Sequence, residues 1–214
     1  MDFIPEPAIL ATYTLACAVL FFTPGPDMSL FIAKTMAGGK RAGFAAFVGA
    51  STGTLVHTSL AALGISALLA ASATAFLVMK VIGALYLLWL AVDALRSGSV
   101  LDVGDTGTRR QQPIWRTFAM GVGINLTNPK IILFFVTFLP QFVAADDPNA
   151  FGKLLFLGLY YVIFALPFGV LMVLCADHMI SFLRTRSYVL RAMDWIFASV
   201  FCAFAVRILT TDPR

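Results

Sequence analysis

Phe21-Phe22-Thr23-Pro24-Gly25-Pro26-Asp27-Met28-Ser29-Leu30 sets two prolines, a glycine and an aspartate inside a stretch, residues 8–33, that otherwise reads as membrane-spanning. Proline lacks an amide hydrogen and glycine lets the backbone leave helical angles, so this segment interrupts a helix. At membrane depth the freed carbonyls and amides are tolerated only where the backbone is buried in protein or lines a wet cavity. A break there therefore points to half-helix ends, with their partial charges, aimed at a polar solute.

The rest of the chain supports a membrane setting. Of 214 residues, 60% are hydrophobic and 12% charged, and the mean hydropathy is +0.90; soluble domains are nearer half apolar and a quarter charged. Apolar stretches long enough to span fall near 8–33, 43–70, 73–95, 117–139, 152–176 and 188–210. The expected fold is an all-α membrane protein of six transmembrane helices, a single domain over 1–214. The polar segment 97–112, with Asp102, Asp105, Arg109 and Arg110, divides it into a first three-helix unit (1–96) and a second (113–214).

Basic residues orient the chain. Lys34, Lys40 and Arg41 follow the first helix, Arg96, Arg109, Arg110 and Arg116 the third, and Arg184, Arg186 and Arg191 the fifth. Those connections, including 97–112, are expected in the cytoplasm and both termini outside. The basic residues cluster at helix ends, so the net charge of +4 marks topology and gives no nucleic-acid surface. Asp2 and Glu6 stand where a cleavable signal would be basic, so the first apolar stretch is expected to persist. Cys17, Cys175 and Cys202 lie in apolar stretches without metal or redox spacing and are expected to be buried small hydrophobes.

Three helices per half means that the second half starts on the opposite face of the membrane, so a structural repeat must be inverted and carry a matching second break. Asn125-Leu126-Thr127-Asn128-Pro129-Lys130 supplies it, with Pro26 and Pro129 standing 103 positions apart. Helices one and four are thus the broken pair. Asp27 and Lys130 follow the two breaks at equivalent positions, and charges in spanning segments are functional by default. They are expected to pair when the site is empty, and a zwitterion would compete for both. The bland alternative is a pair of structural kinks, since proline and glycine are common in membrane helices.

Pro24-Gly25-Pro26-Asp27, Gly43, the stretch from Gly49 through Gly53 to His57, the run Lys80-Val-Ile-Gly83-Ala-Leu-Tyr86-Leu-Leu-Trp89, and Asn125-Leu-Thr-Asn128-Pro129-Lys130 together resemble the LysE/RhtB family of bacterial amino-acid exporters, in order and over essentially the whole chain. The resemblance implies an exporter in the bacterial cytoplasmic (inner) membrane that expels amino acids or their derivatives using the proton gradient, without enzymatic turnover or a bound cofactor. It carries substrate binding or gating to Pro24, Gly25, Pro26, Asp27, Asn125, Asn128, Pro129 and Lys130. Family members differ in substrate, from basic amino acids to homoserine, threonine and leucine.

Other residues refine the expectation. Asp27 and Lys130 balance, leaving no spare carboxylate for a cationic side chain, so the expected cargo is neutral. Asp27 and His57 are candidates for a proton relay, His57 being also readable as a simple interhelix hydrogen bond. Gly49 and Gly53 form a GxxxG face that suits packing within one chain or a homodimer. Leu166-Pro167-Phe168-Gly169 is expected to break the fifth helix as a hinge. Export of a metal cation or other small solute is the alternative; it would need converging carboxylate, imidazole or thiolate ligands, and only Asp27 and His57 offer themselves. An intramembrane enzyme or electron carrier lacks its motifs, and an assembly subunit would not explain two charged breaks.

Overall fold

The computed structural model describes residues 3–97, 112–144 and 147–210. Most of the expected central connection 97–112 lies outside them, as do Arg109, Arg110 and the C-terminal Arg214. The described residues are helical apart from short connections, with no strand among them. Helix α1 spans Pro7–Phe22 and α2 spans Pro26–Ala71, the two being separated at Thr23, Pro24 and Gly25. Then come α3 (Ala73–Ser97), α4 (Ile114–Thr127) and α5 (Pro129–Leu133). A π turn over Phe134–Phe138 and a 3₁₀ turn over Leu139–Phe142 continue α5. Helices α6 (Ala150–Leu174), α7 (Ala176–Thr185) and α8 (Ser187–Thr210) complete the chain.

Helix α2 is not one rod. Phe31 and Phe47 would lie about 24 Å apart along a straight helix, yet their ring centroids are 5.5 Å apart, and the Gly43 backbone lies against the Thr35 side chain. The chain reverses at Gly39, whose φ of 75° and ψ of 179° are accessible almost only to glycine. Residues 26–38 and 40–71 are therefore antiparallel arms, α2a and α2b. The link expected between the first two helices, residues 34–42, is accordingly helical except for one residue. A Cβ on Gly39 would meet nothing within 4 Å, so Gly39→Ala is expected to cost backbone strain alone, about 1–3 kcal/mol. Thermal unfolding in detergent reads this directly, and an unchanged midpoint would remove the reversal.

By length and composition, Pro26–Leu68, Ala150–Leu174 and Tyr188–Val206 are apolar enough to cross a membrane, the first folding back at Gly39 so that it is not one straight crossing, and α4 with the Pro129–Phe142 segment, bent by 52° at Asn128, makes a fourth candidate. Helix α2 packs most extensively on α4 and α6, and α3 on α8. Gly49 of α2b lies against the Phe118 carbonyl and Gly121 of α4 against the Ala46 carbonyl, so the GxxxG face is consumed inside the chain. An aromatic core fills the space behind the second break, where Phe134, Phe135 and Phe138 are wholly or nearly wholly buried and Phe138 meets Phe204 edge-on at 4.5 Å.

Three other expectations are corrected. Helix α6 runs unbroken through Pro167, where Phe168 packs on Phe21, Phe22 and Phe164; one missing amide bond is outweighed by this packing. Cys17 is buried, but Cys202 is half-buried and Cys175 exposed. The basic connection after α6 is itself helical, α7, which packs on α2 and sets Met179 against the cluster that holds Phe31, Phe47 and Met172. Lys34 Nζ donates to Gln112 Oε1 at 3.0 Å, so the connections bearing Lys34 and Gln112 meet.

Candidate functional site at the facing helix breaks

The two interruptions meet. Helix α1 ends at Phe22, and its last carbonyls lack intrahelical donors; Lys130, from the second break, donates to Thr23 O at 2.7 Å and Leu20 O at 3.1 Å. An ammonium there meets the negative end of a helix dipole. In the other direction Asn125, in the last turn of α4, donates through Nδ2 to Asp27 Oδ2 at 2.9 Å. Each break thus supplies the partner for the other.

Local sequence explains these positions. Pro26 and Pro129 stand first in α2 and α5, where a missing amide costs least, which places Asp27 and Lys130 second in each helix. Asn128 caps α5, its Oδ1 accepting from the Lys130 amide at 3.1 Å. Asn125 is the junction. Its Oδ1 accepts from Thr54 Oγ1 at 3.3 Å, and its backbone oxygen accepts from the Asn128 amide and from His57 Nε2 at 3.3 Å. Because that oxygen can only accept, His57 carries its proton on Nε2; the ring stacks on Phe135.

No ion pair joins Asp27 to Lys130 among the described residues, contrary to the expected empty-site pairing. Lys130 is held by carbonyls and Asp27 by an amide, because the half-helix ends are nearer partners than the opposite charge. Both keep unused capacity: Asp27 Oδ1 is buried without a hydrogen-bond partner among the described residues, and Lys130 has a third ammonium hydrogen beyond its two carbonyl bonds.

Beside them lies a pocket with about 510 Å³ of free space counting its mouth. Of the residues singled out in sequence, Asp27, Asn125 and Lys130 line it. Pro24, Gly25, Pro26, Asn128 and Pro129 shape the breaks without lining it; the Lys130 head lies close over Gly25. His57 sits behind Asn125. Sequence reasoning missed Ser51, Thr54 and Tyr161, which also line the pocket. Ser51, Thr54 and His57 recur every third position on α2b, a polar stripe hidden within a stretch read as small-residue packing. Tyr86 and Trp89 stay outside, with Trp89 55% exposed.

Asn125→Ala strips the partner from Asp27 Oδ2 and one of two acceptors from Thr54. It is expected to destabilise the fold by about 1–3 kcal/mol. Combined with Asp27→Ala it should be clearly sub-additive, since both remove one contact; strict additivity in thermal unfolding would contradict the junction.

The fold and this site define an integral membrane protein of apolar helices, two of them interrupted and facing each other across a polar pocket. Residues 18–212 match the LysE type translocator family, and the chain belongs to it. It is 27% identical to a leucine efflux protein of Enterobacter sp. (strain 638), over 92% of this chain and 93% of that one. It is 31% identical to a homoserine/homoserine lactone efflux protein of Salmonella typhimurium, over 64% and 66% respectively. It is 36% identical to an uncharacterized membrane protein of Vibrio cholerae, over 64% of each chain, so that match spans under two thirds of the Vibrio protein's length. No solved structure matches the chain.

Proposed function

We propose that this chain is a secondary transporter exporting a small neutral amino acid from the cytoplasm across the bacterial inner membrane. One observation carries the reading: at the junction of the two breaks, Asp27 Oδ1 and one Lys130 hydrogen remain unused beside a pocket. A free amino acid presents an ammonium for the first and a carboxylate for the second. Membership of the translocator family, and relatives named for leucine and homoserine efflux, support it. No bond of the cargo is broken, so the activity is transport and not catalysis.

In this reading the chain crosses the membrane six times as two inverted three-helix repeats, 1–96 and 113–214, joined by a cytoplasmic segment 97–112, with both termini outside. The hydrogen bond from Lys34 to Gln112 supports placing those two connections on the same side. Alternating access comes from the repeats rocking about the facing breaks, with Pro24, Gly25, Pro26, Asn128 and Pro129 as pivots. Proton coupling runs through Asp27, to which His57 is linked by way of Asn125. Export of a metal cation would require Asp27 and His57 to share the ion, but His57 Nε2 is engaged by the Asn125 carbonyl.

The test is efflux of a panel of radiolabelled amino acids from proteoliposomes holding the purified protein. Rapid exit of neutral members, slowed when the proton gradient is collapsed, is the expected result. Exit of none ends the proposal; exit indifferent to the gradient ends only its coupling.

A further inference from the structure

The pocket is chemically divided. Asp27, Lys130 and Asn125 form one part, while Phe31, Phe47, Met28 and Met172 contribute an apolar wall. Phe31 lies one turn beyond Asp27 on α2a, about 6 Å along the axis. A molecule whose charged groups sit on Asp27 and Lys130 therefore carries its side chain to the rings of Phe31 and Phe47.

Phe47 is fixed in this wall from two sides. Phe31 meets its ring edge-on at 5.5 Å. On the other flank the ring rests on the bare backbone of Gly169 in α6, where any Cβ would overlap the ring carbons. A wall held this way cannot yield to a larger guest without moving a helix.

We infer that Phe47, seated between Phe31 and Gly169, gauges the size of an apolar side-chain compartment, so that the cargo is an aliphatic amino acid of about leucine or methionine size. This rests on the amino-acid export reading and narrows it. Asp27 and Lys130 are the charged residues of the lining, so a lysine side chain would bury a second ammonium with no carboxylate to receive it. A threonine side chain would set its hydroxyl toward the wall of Met28, Phe31, Phe47 and Met172 and leave part of that wall unfilled. Apolar pockets of this kind discriminate by roughly 10- to 200-fold per methylene-sized change.

The experiment compares initial efflux of leucine, phenylalanine, threonine and lysine from proteoliposomes bearing wild type, Phe47→Ala, Met172→Ala and Gly169→Ala. Wild type should favour leucine over each of the others. Phe47→Ala should raise the phenylalanine-to-leucine ratio about tenfold or more. Met172→Ala, which opens the same wall from α6, should do likewise and decides the matter should Phe47→Ala fail to fold. Gly169→Ala pushes the ring off α6 into the free space and should move the ratio the opposite way. Efflux that persists with ratios unchanged in both opened variants overturns the gauge and leaves the export reading standing. A wild type that favours threonine or lysine overturns the aliphatic cargo alone, and one that moves no amino acid overturns both readings.

Discussion

Asp27→Asn and Lys130→Met are each expected to reduce amino-acid efflux by at least about 100-fold, or about 2.7 kcal/mol of lost stabilisation, while the protein remains folded. Asp27→Asn is nearly isosteric and keeps an oxygen to accept from Asn125 Nδ2, so the junction survives. What disappears is the negative charge for an incoming ammonium and the only titratable group at the first break. Lys130→Met keeps the aliphatic stem but leaves the Leu20 and Thr23 carbonyls without their donor. Each orphaned carbonyl costs about 1–3 kcal/mol, offset in part by no longer burying an ammonium. Lys130→Met should therefore lose cargo binding more completely than it loses thermal stability. Lys130→Arg, with its different reach and planar donors, should rescue only part of the activity. Transport at wild-type rates by both Asp27→Asn and Lys130→Met would reduce the two breaks to scaffolding.

Gly49→Val and Gly121→Leu are expected to prevent folding. At these positions α2b and α4 approach backbone to backbone: a Cβ on Gly49 would overlap the Phe118 carbonyl, and one on Gly121 the Ala46 carbonyl. A side chain can rotate away from a clash, but a carbonyl within a helix cannot, so the helices must separate. Overpacking commonly costs about 1–3 kcal/mol where side chains can adjust, and here the larger branched groups should exceed that. Separation of α2b from α4 also pulls Asn125 from Asp27 and Thr54. The readout is recovery of a monodisperse peak in detergent. Gly64→Ala and Gly123→Ala, whose added Cβ atoms meet nothing within 4 Å, are the controls and should be neutral or gain up to about 1 kcal/mol from helix propensity. Normal recovery of Gly49→Val would show that α2b and α4 do not pack as described.

These variants separate what could be foreseen from what could not. Pro24-Gly25-Pro26 and Asn128-Pro129 are breaks in any context, because a missing amide and a free φ act on their own residues. That Asp27 and Lys130 matter was also legible, since a charge within an apolar stretch is costly and is retained where it serves binding or transport. Their partners were not legible. The sequence suggested an ion pair, whereas Lys130 reaches the open carbonyls of α1, a bond that depends on how two distant segments approach. Ser51 and Thr54 were hidden because hydroxyls commonly bond to their own helix, as both do. Pro167 misled in the other direction, since the packing around Phe168 holds α6 together where local propensity argued for a break.

The amino-acid sequence alone determined a helical membrane protein, the location of its interruptions and the charges that follow them, because hydropathy and backbone stereochemistry act over a few adjacent residues. Tertiary structure decided the reversal at Gly39, the reciprocal bonding of the two breaks and the apolar wall held by Phe31 and Gly169. Those features join residues from 8 to more than 100 positions apart, and whether such groups meet is fixed by helix packing, which no local pattern encodes.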